Sequence, residues 1–448
     1  MFIYTPENFY AEHKIVDNLI RLSKSSASPV NNRVYDPKFD LVQKSAIDMA
    51  CDKKVSIICG KPGTGKTTVT QSIIESFDNS GLKGVILAPT GAAAKRSSSV
   101  VTLNTRINNF PECGTIHKGI GINKLGHAAY NSDNKLDIDY AIMEESTMTG
   151  NVLFSKFMEA LPDNCRLVIS GDPNQLPSVS PGKVMFDMIK SGVIPTTELE
   201  KIYRQGAKSG IVRNAEKIIK GESLINKDPV TGERFQDFFF VNRPDTQSIY
   251  KSIIKYATED IPQSRNYDPI KDIQILSPGK KSEIGTSNLN ENLRKILNPN
   301  ADETQKLSVG DKVINRKNVT QLNIVNGDVG YVVEVGKHGA TIKFSEGSGA
   351  SSDGTTEMER EFLDNVYHAY CFTIHSSQGC EFPCVIIPLH TTHSILLFKN
   401  LLYTGVTRGK QLVVIVGTAK ALSYCTSRSS NDKRITGLTS LLNKKFTG

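Results

Sequence analysis

The sequence lacks the features that would carry it into a membrane or out of the cell. It has no run of about 18 apolar residues, the length a membrane-spanning helix needs. Residues 1–10 hold no basic stretch followed by an apolar one, so a secretory leader is not expected. The eight cysteines are scattered, without the spacing of a disulfide framework. The expected setting is therefore a reducing compartment, the cytoplasm. There is no internal repeat, and no excess of one charge dominates. Lys+Arg number 54 against 46 Asp+Glu, a net charge of +8. That mildly basic balance admits a polyanionic partner without requiring one. At 448 residues the chain is long enough for two or three domains.

What the chain does have is a series of short, continuous apolar runs, each stopped by Gly, Pro, Ser or Thr. The early ones are Val55–Cys59, Val85–Ala88, Tyr140–Met143 and Leu167–Ser170, and the late ones are Ile273–Leu276, Val385–Ile387 and Leu412–Val416. Continuous rather than alternating runs are expected of strands buried on both faces of a parallel sheet. Helical patterns separate them, as in Thr67–Ser76 and Val152–Ala160. The expected fold class is α/β with two parallel sheets. Between about Val309 and Asn365 the texture changes to Gly, Val and charged residues with turn signals at Asn326-Gly327-Asp328 and Lys337-His338-Gly339. This predicts an antiparallel β module with strands over Asp311–Arg316, Val329–Val335 and Ala340–Phe344, and a Ser/Gly-rich loop over Gly347–Thr356. Residues 1–36 hold one helical stretch, Phe9–Leu22, and a polar linker.

Gly60-Lys61-Pro62-Gly63-Thr64-Gly65-Lys66-Thr67 fits G-x-x-x-x-G-K-[ST], follows a strand and opens a helix. In that context the glycines let backbone N–H groups wrap a polyphosphate, and the helix N-terminus adds partial positive charge. Lys66 is expected to neutralise the β- and γ-phosphates, and the Thr67 hydroxyl to ligate Mg²⁺, with Thr68 beside it. Glu144-Glu145 ends the Tyr140–Met143 strand, where one carboxylate can hold Mg²⁺ through water and the other can orient the attacking water. Gln175, in Gly171-Asp172-Pro173-Asn174-Gln175-Leu176-Pro177, is a candidate sensor of the γ-phosphate. All three motifs sit at carboxyl ends of predicted strands, the edge where open α/β sheets bind ligands. Arg204 and Arg408, in turn-like contexts, read singly as surface salt-bridge arginines, with stabilisation of transition-state charge on that phosphate as the alternative. Cys380, Cys384, His390 and His393 have a finger-like order. A zinc site is set aside, because Cys384 begins an apolar strand.

Taken in order, these motifs resemble the superfamily 1B DNA helicases, closest to the RecD type. The resemblance starts near residue 37 and rests on several segments. They are Ala88-Pro89-Thr90-Gly91-Ala92, Thr115-Ile116-His117, Gly171–Pro177, Tyr203-Arg204-Gln205, Thr373-Ile374-His375-Ser376-Ser377-Gln378-Gly379 and Leu402–Arg408. It implies two tandem RecA-like motor domains with a small SH3-like β insertion and a β-hairpin pin. The implied ranges are 1–36 for a short N-terminal segment, 37–200 for domain 1A with its pin at about 119–136, 201–308 and 366–448 for domain 2A, and 309–365 for domain 2B. It further implies that Gln43 reads adenine and that Arg204 and Arg408 reach the γ-phosphate. Pro89, Thr90, Thr115, His117, Thr373 and His375 would contact the single strand. Gln378, Gly379 and Glu381 would link ATP state to DNA grip, and His127 and Tyr130 would sit at the pin's tip. The chain departs from the family in carrying Glu144-Glu145 where Asp-Glu is usual, which puts the metal geometry in question.

The implied activity is an ATP- and Mg²⁺-dependent 5′→3′ helicase. It would bind single-stranded DNA and single/double-strand junctions, work as a monomer and use no membrane. Two competing readings are a slow P-loop switch or scaffold, which only the Glu144 departure favours, and an RNA helicase of the viral superfamily 1 type.

Overall fold

A computed structural model describes residues 4–102, 112–203, 209–344, 348–351, 353–429 and 434–447. The chain forms two compact units, Met1–Arg204 with Ser430–Gly448, and Gln205–Ser429.

In the first unit, β1 (Val55–Gly60), β2 (Gly84–Ala88), β3 (Glu112–Thr115), β4 (Tyr140–Met143), β5 (Arg166–Gly171) and β6 (Thr196–Leu199) form one sheet in the order β3-β2-β4-β5-β1-β6. Every neighbouring pair is parallel, so all six carboxyl ends lie along one edge. Successive side chains of a strand alternate between faces, and each face here has its own core. Ile57, Leu87, Met143 and Ile169 enter a core with the helices Pro6–Lys24 and Asn151–Ala160. Ile58, Ile86, Ile142 and Val168 enter a second core with the helices Leu41–Asp52 and Lys66–Asp78. Covering both faces is why these strands read as unbroken apolar runs. In the N-terminal helix Ala11, Ile15, Val16, Leu19 and Leu22 are buried, a 3.6-residue stripe that joins the first core.

In the second unit β7 (Phe238–Asn242) and β8 (Ile273–Ser277) precede an antiparallel module of β9 (Lys312–Asn315), β10 (Val329–Val335), β11 (Gly339–Phe344), β12 (Thr355–Glu359) and β13 (Val366–His368). Its order is β12-β11-β10-β9-β13, around Val313, Val332, Ile342, Met358 and Val366. The chain then returns through β14 (Cys371–Thr373), β15 (Phe382–Leu389) and β16 (Gly409–Gly417), which complete a parallel sheet in the order β14-β8-β15-β16-β7. A buried carboxylate, Asp311, ties the module to the helix Thr286–Leu297. It accepts from Arg294 Nη2 at 2.9 Å, from Asn298 Nδ2 at 3.0 Å and from the Ser308 backbone N–H at 2.8 Å. Burial alone would raise its pKa. The His368, Arg294 and Asn298 side chains beside it outweigh that and hold the carboxyl well below the usual carboxylate range.

Three expectations change. The last helix, Leu438–Thr447, expected in the second motor domain, belongs to the first unit, where Leu438 and Leu442 enter the same core as the N-terminal helix. The Ser/Gly-rich stretch gives way at Thr355 to β12, because pairing with β11 extends the module there. The pin is a single antiparallel bridge, Ile122 with Ala128, rather than a ladder of strands. Its turn closes through the Asn123 N–H to the His127 carbonyl and the Gly126 N–H to the Asn123 carbonyl. Leu125 therefore occupies the tip, 81% exposed, while Tyr130 lies at the base, its N–H on the Ile120 carbonyl.

Candidate functional site

The nucleotide motifs converge where the sheet order places them. The β1 end opens directly into the Gly60–Lys66 turn, and Gly63 and Gly65 take φ of +83° and +85°, a region that side chains disfavour. At Gly65 a Cβ would also lie 2.5 Å from Gln43 Nε2. The Lys66 ammonium is held over this turn by the carbonyls of Gly60 and, at 3.1 Å, Lys61, at the centre of the cradle a polyphosphate would fill. Thr67 and Thr68 are exposed on the first helical turn.

Gln43 serves the turn as well as facing it. Its backbone N–H and side-chain Oε1 complete a capping box with Asp40, and its Nε2 donates to the Thr64 carbonyl at 3.3 Å. Tyr203 closes the same corner, with its N–H on the Gly63 carbonyl at 2.8 Å and its hydroxyl on Asp40 Oδ2 at 2.6 Å. Asp40 had no role in the sequence reading, because N-capping aspartates are common and carry no mark of the loop they face.

Glu144 follows β4, between the ends of β2 and β5. The Thr70 hydroxyl donates to one carboxylate oxygen at 3.0 Å and the Ser170 hydroxyl to the other at 2.8 Å. Thr70 stands one helical turn beyond Thr67, so the extra methylene of Glu over Asp is taken up by reaching along that helix. Burial pushes the Glu144 carboxyl above its ordinary value and the Glu145 charge adds to this, against the Ser170 and Thr70 hydroxyls and the Lys66 ammonium. Solvent still touches part of the residue's surface, so it is crowded rather than sealed. Glu145 takes φ 50° and ψ 38°, a left-handed conformation that is strained for a residue with a Cβ. Such strain persists where the surroundings impose it, and it turns the chain sharply between the two acids. Gln175 is buried in the turn after β5, its N–H on the Asp172 carbonyl at 3.0 Å.

The single-strand candidates occupy the other half of the same edge. Ala88 pairs with Thr115, so Pro89 and Thr90 lie beside Thr115, Ile116 and His117. Thr90 accepts from the Ala93 N–H at 3.3 Å and Thr115 from the Lys118 N–H at 3.3 Å, which caps the helix that each begins. Burial, with nearby Lys156, holds the His117 imidazole below its ordinary pKa.

In the second unit Thr373 caps the Ile374–Ser377 turn through the Ser376 N–H. It lines a groove of about 880 Å³ with Lys280, Arg316, Tyr367, Phe372 and Ser376. His375 sits in that turn, Gln378 is buried and Gly379 has φ +83°. Arg408 is buried, with Nε on the Thr404 carbonyl at 3.2 Å and Nη1 on the Cys380 carbonyl at 3.0 Å. Arg204 lies outside the described residues. Lys280, Arg316 and Tyr367 went unread in the sequence because they lie far apart in it and only the fold brings them to one groove.

A sheet edge with a glycine cradle, a lysine, paired acids and a buried glutamine defines a P-loop NTPase. Comparisons with known proteins agree. A family model described as an AAA domain matches residues 43–181, and one described as a UvrD-like helicase C-terminal domain matches 368–416. The ATP-dependent RecD2 DNA helicase of Deinococcus radiodurans is 28% identical over 439 residues, which cover 95% of this chain and 56% of that protein. The RecBCD enzyme subunit RecD of Mycolicibacterium smegmatis is 24% identical, over 97% of this chain and 81% of that one. Among solved structures, Pif1 helicase from Candida albicans superposes with a TM-score of 0.53 at 16% identity, over 91% of this chain and 99% of that chain. Bacteroides Pif1 in complex with ADP-AlF3 and ssDNA gives 0.51 at 16% identity, over 92% and 97%. These likenesses establish the fold, two RecA-like parallel sheets. Within the P-loop class, the chain is similar to the RecD-like helicases of superfamily 1B. The chain spans little more than half the length of the RecD2 relative.

Proposed function

We propose that the chain is an ATP-driven helicase that moves 5′→3′ along single-stranded DNA and opens duplex ahead of it. The observation that carries this reading is the division of one sheet edge. The ends of β1, β4 and β5 carry the nucleotide residues, and the ends of β2 and β3, hydrogen-bonded next to β4, carry Pro89, Thr90, Thr115 and His117. A change at the γ-phosphate thus has a path of one strand spacing, about 4.8 Å, to the single-strand contacts.

Lys66 and the N–H groups of the turn bind the phosphates, Glu145 orients the attacking water and Gln175 contacts the γ-phosphate. Thr67 and Glu144 are the residues that would hold Mg²⁺, which supplies charge neutralisation on the phosphates. The exposed Thr67 hydroxyl and a Glu144 carboxylate anchored one turn along the same helix suit that ion. Grip on the strand comes from phosphate contacts and base stacking, worth about 1–3 kcal/mol per base. In the second unit Arg316 and Lys280 suit the phosphates, and the half-exposed Tyr367 suits a base. Leu125 at the turn tip is the apolar group placed to meet a base pair. A monomer acting in the cytoplasm is consistent with this work, and no helix among the described residues is long and apolar enough to cross a membrane.

The test has two parts. ATP hydrolysis should rise many-fold with single-stranded DNA, and less with RNA. Unwinding of partial duplexes should require a 5′ tail. An ATPase indifferent to DNA would favour the switch reading. Unwinding from a 3′ tail alone would overturn the direction and leave the ATPase standing.

A further inference from the structure

The C-terminal segment returns to the first unit at the turn that follows Gln175. Arg434 Nη1 donates to the Ser180 carbonyl at 3.0 Å, the Gly182 carbonyl at 2.9 Å and Ser178 Oγ at 3.3 Å, and Nη2 donates to the Ser178 carbonyl. Three backbone carbonyls of one short turn therefore converge on one guanidinium. Carbonyl dipoles aimed at a common point repel one another unless a cation sits there, and a planar fork of donors matches such an arrangement better than an ammonium. Among the described residues, the hydrogen bonds of Arg434 all go to this turn. The turn is also closed from within by the Ser178 hydroxyl, which donates to the Ser180 carbonyl at 2.7 Å and the Gly182 carbonyl at 3.3 Å, and is held on its far side by the Asn151 N–H, which donates to the Pro181 carbonyl at 3.0 Å. Just beyond Arg434, Thr436 and Thr439 donate to the buried Asp187 at 2.7 and 3.0 Å, on the helix Val184–Ser191 that the turn leads into. The Gly437 N–H donates to Glu12 at 3.0 Å. The segment thus grips both the turn and the helix after it.

We infer that Arg434 is a positioning residue for ATP hydrolysis, fixing the Ser178–Gly182 turn so that Gln175, three residues before it, stays aimed at the γ-phosphate. This rests on the reading of Gln175 given above. A sensor's amide must be held within a fraction of an ångström, because misplacement by about 1 Å can cost on the order of 10²-fold in rate. Gln175 is carried by a Pro-bounded turn with no regular strand on its far side, so its register depends on what anchors Ser178.

The test is the steady-state ATPase of the full chain with saturating single-stranded DNA, well below every variant's melting temperature. Arg434→Ala should lower kcat about tenfold while KM for ATP changes by less than about twofold, the mark of an interaction that matters in the transition state. Leu442→Ala, which thins the core under the same helix without touching the turn, should lower Tm and leave kcat near the unaltered value. Gln175→Ala should lower kcat at least as far as Arg434→Ala. Unchanged kcat in Arg434→Ala beside a loss in Gln175→Ala would overturn the positioning role alone. An equal fall in Leu442→Ala would reduce it to general stability. Full turnover in Gln175→Ala would overturn the sensor reading and this inference with it.

Discussion

The two units contain the same kind of sheet and differ in what the sheet's edge carries. In the first, β1 runs into a glycine turn with two left-handed residues and a lysine. In the second, β8 runs into Ser277-Pro278-Gly279, where the Ser277 hydroxyl turns inward to the Ile284 carbonyl at 2.9 Å. A parallel sheet therefore supplies an edge, and only local residues make that edge a nucleotide site. Two carboxylates, one crowded and one buried, sharpen the contrast. Glu144 in the first unit has neutral hydroxyl partners and a raised pKa. Asp311 in the second has Arg294 and a depressed one. The first is a charge kept uncomfortable at the proposed nucleotide site, and the second is a charge kept satisfied at a joint between module and sheet.

The comparison can be broken most directly at Lys66. Lys66→Ala should cut DNA-stimulated ATP hydrolysis by about 10³-fold while the melting temperature holds, since in the proposed role the ammonium neutralises charge that grows in the transition state. A variant with near-normal turnover would move the nucleotide site away from the first sheet. Glu145→Gln should lower turnover on the order of 10²-fold or more and spare ATP binding, measured by fluorescent-nucleotide titration. If Glu145→Gln turned over normally, the roles of the two acids would have to be reassigned.

Asp311→Asn should leave nucleotide affinity intact and destabilise the second unit by roughly 3–5 kcal/mol, because Arg294 then stays buried without its counter-charge. The pH dependence follows the same sign. With its folded pKa depressed, Asp311 contributes stability above the ordinary value of 3.8 that is lost as pH falls toward the folded value, whereas Glu144, with a raised pKa, contributes stability that is full below its ordinary 4.5 and is lost as pH rises through the raised folded value. Acid titration of Asp311→Asn, followed by circular dichroism, should therefore show a shallower loss of stability than the unaltered chain. The smallest effect is expected of Thr70→Val. It removes one of two hydroxyls from Glu144 at a cost of about 1–3 kcal/mol and should raise the Mg²⁺ concentration needed for half-maximal turnover. An unchanged Mg²⁺ requirement would separate Glu144 from the metal.

The central strands of both sheets were legible in the chain, and the strands that were not are the edges. β1, β2, β4 and β5, then β8, β15 and β16, each appear as apolar runs. The edges are β3 and β6 in the first sheet and β7 and β14 in the second. An edge strand has one hydrogen-bonded neighbour and is covered less, so β3 and β6 need no continuous apolar run, whereas β7 does carry one in Phe238–Val241. β3 and β6 are each only four residues long and mostly half-exposed or exposed. The pin was legible as a turn but not in its register, because one bridge leaves the tip to be decided by the turn's own hydrogen bonds.

Residue type and order alone made the glycine turn, the adjacent acids and the α/β class legible. Each depends on neighbours in the chain: glycines that permit a left-handed backbone, a lysine beside them and apolar runs that need burial on both faces. What lay beyond the sequence depends on residues far apart. Thr70 and Ser170 meeting on Glu144, Tyr203 closing on Asp40, and Lys280, Arg316 and Tyr367 sharing a groove are products of packing. So is the return of the C-terminus to the first unit. Leu438 and Leu442 find an apolar surface prepared by Ile15, Leu19 and Met188 there, and hydrophobic burial is indifferent to how many residues intervene.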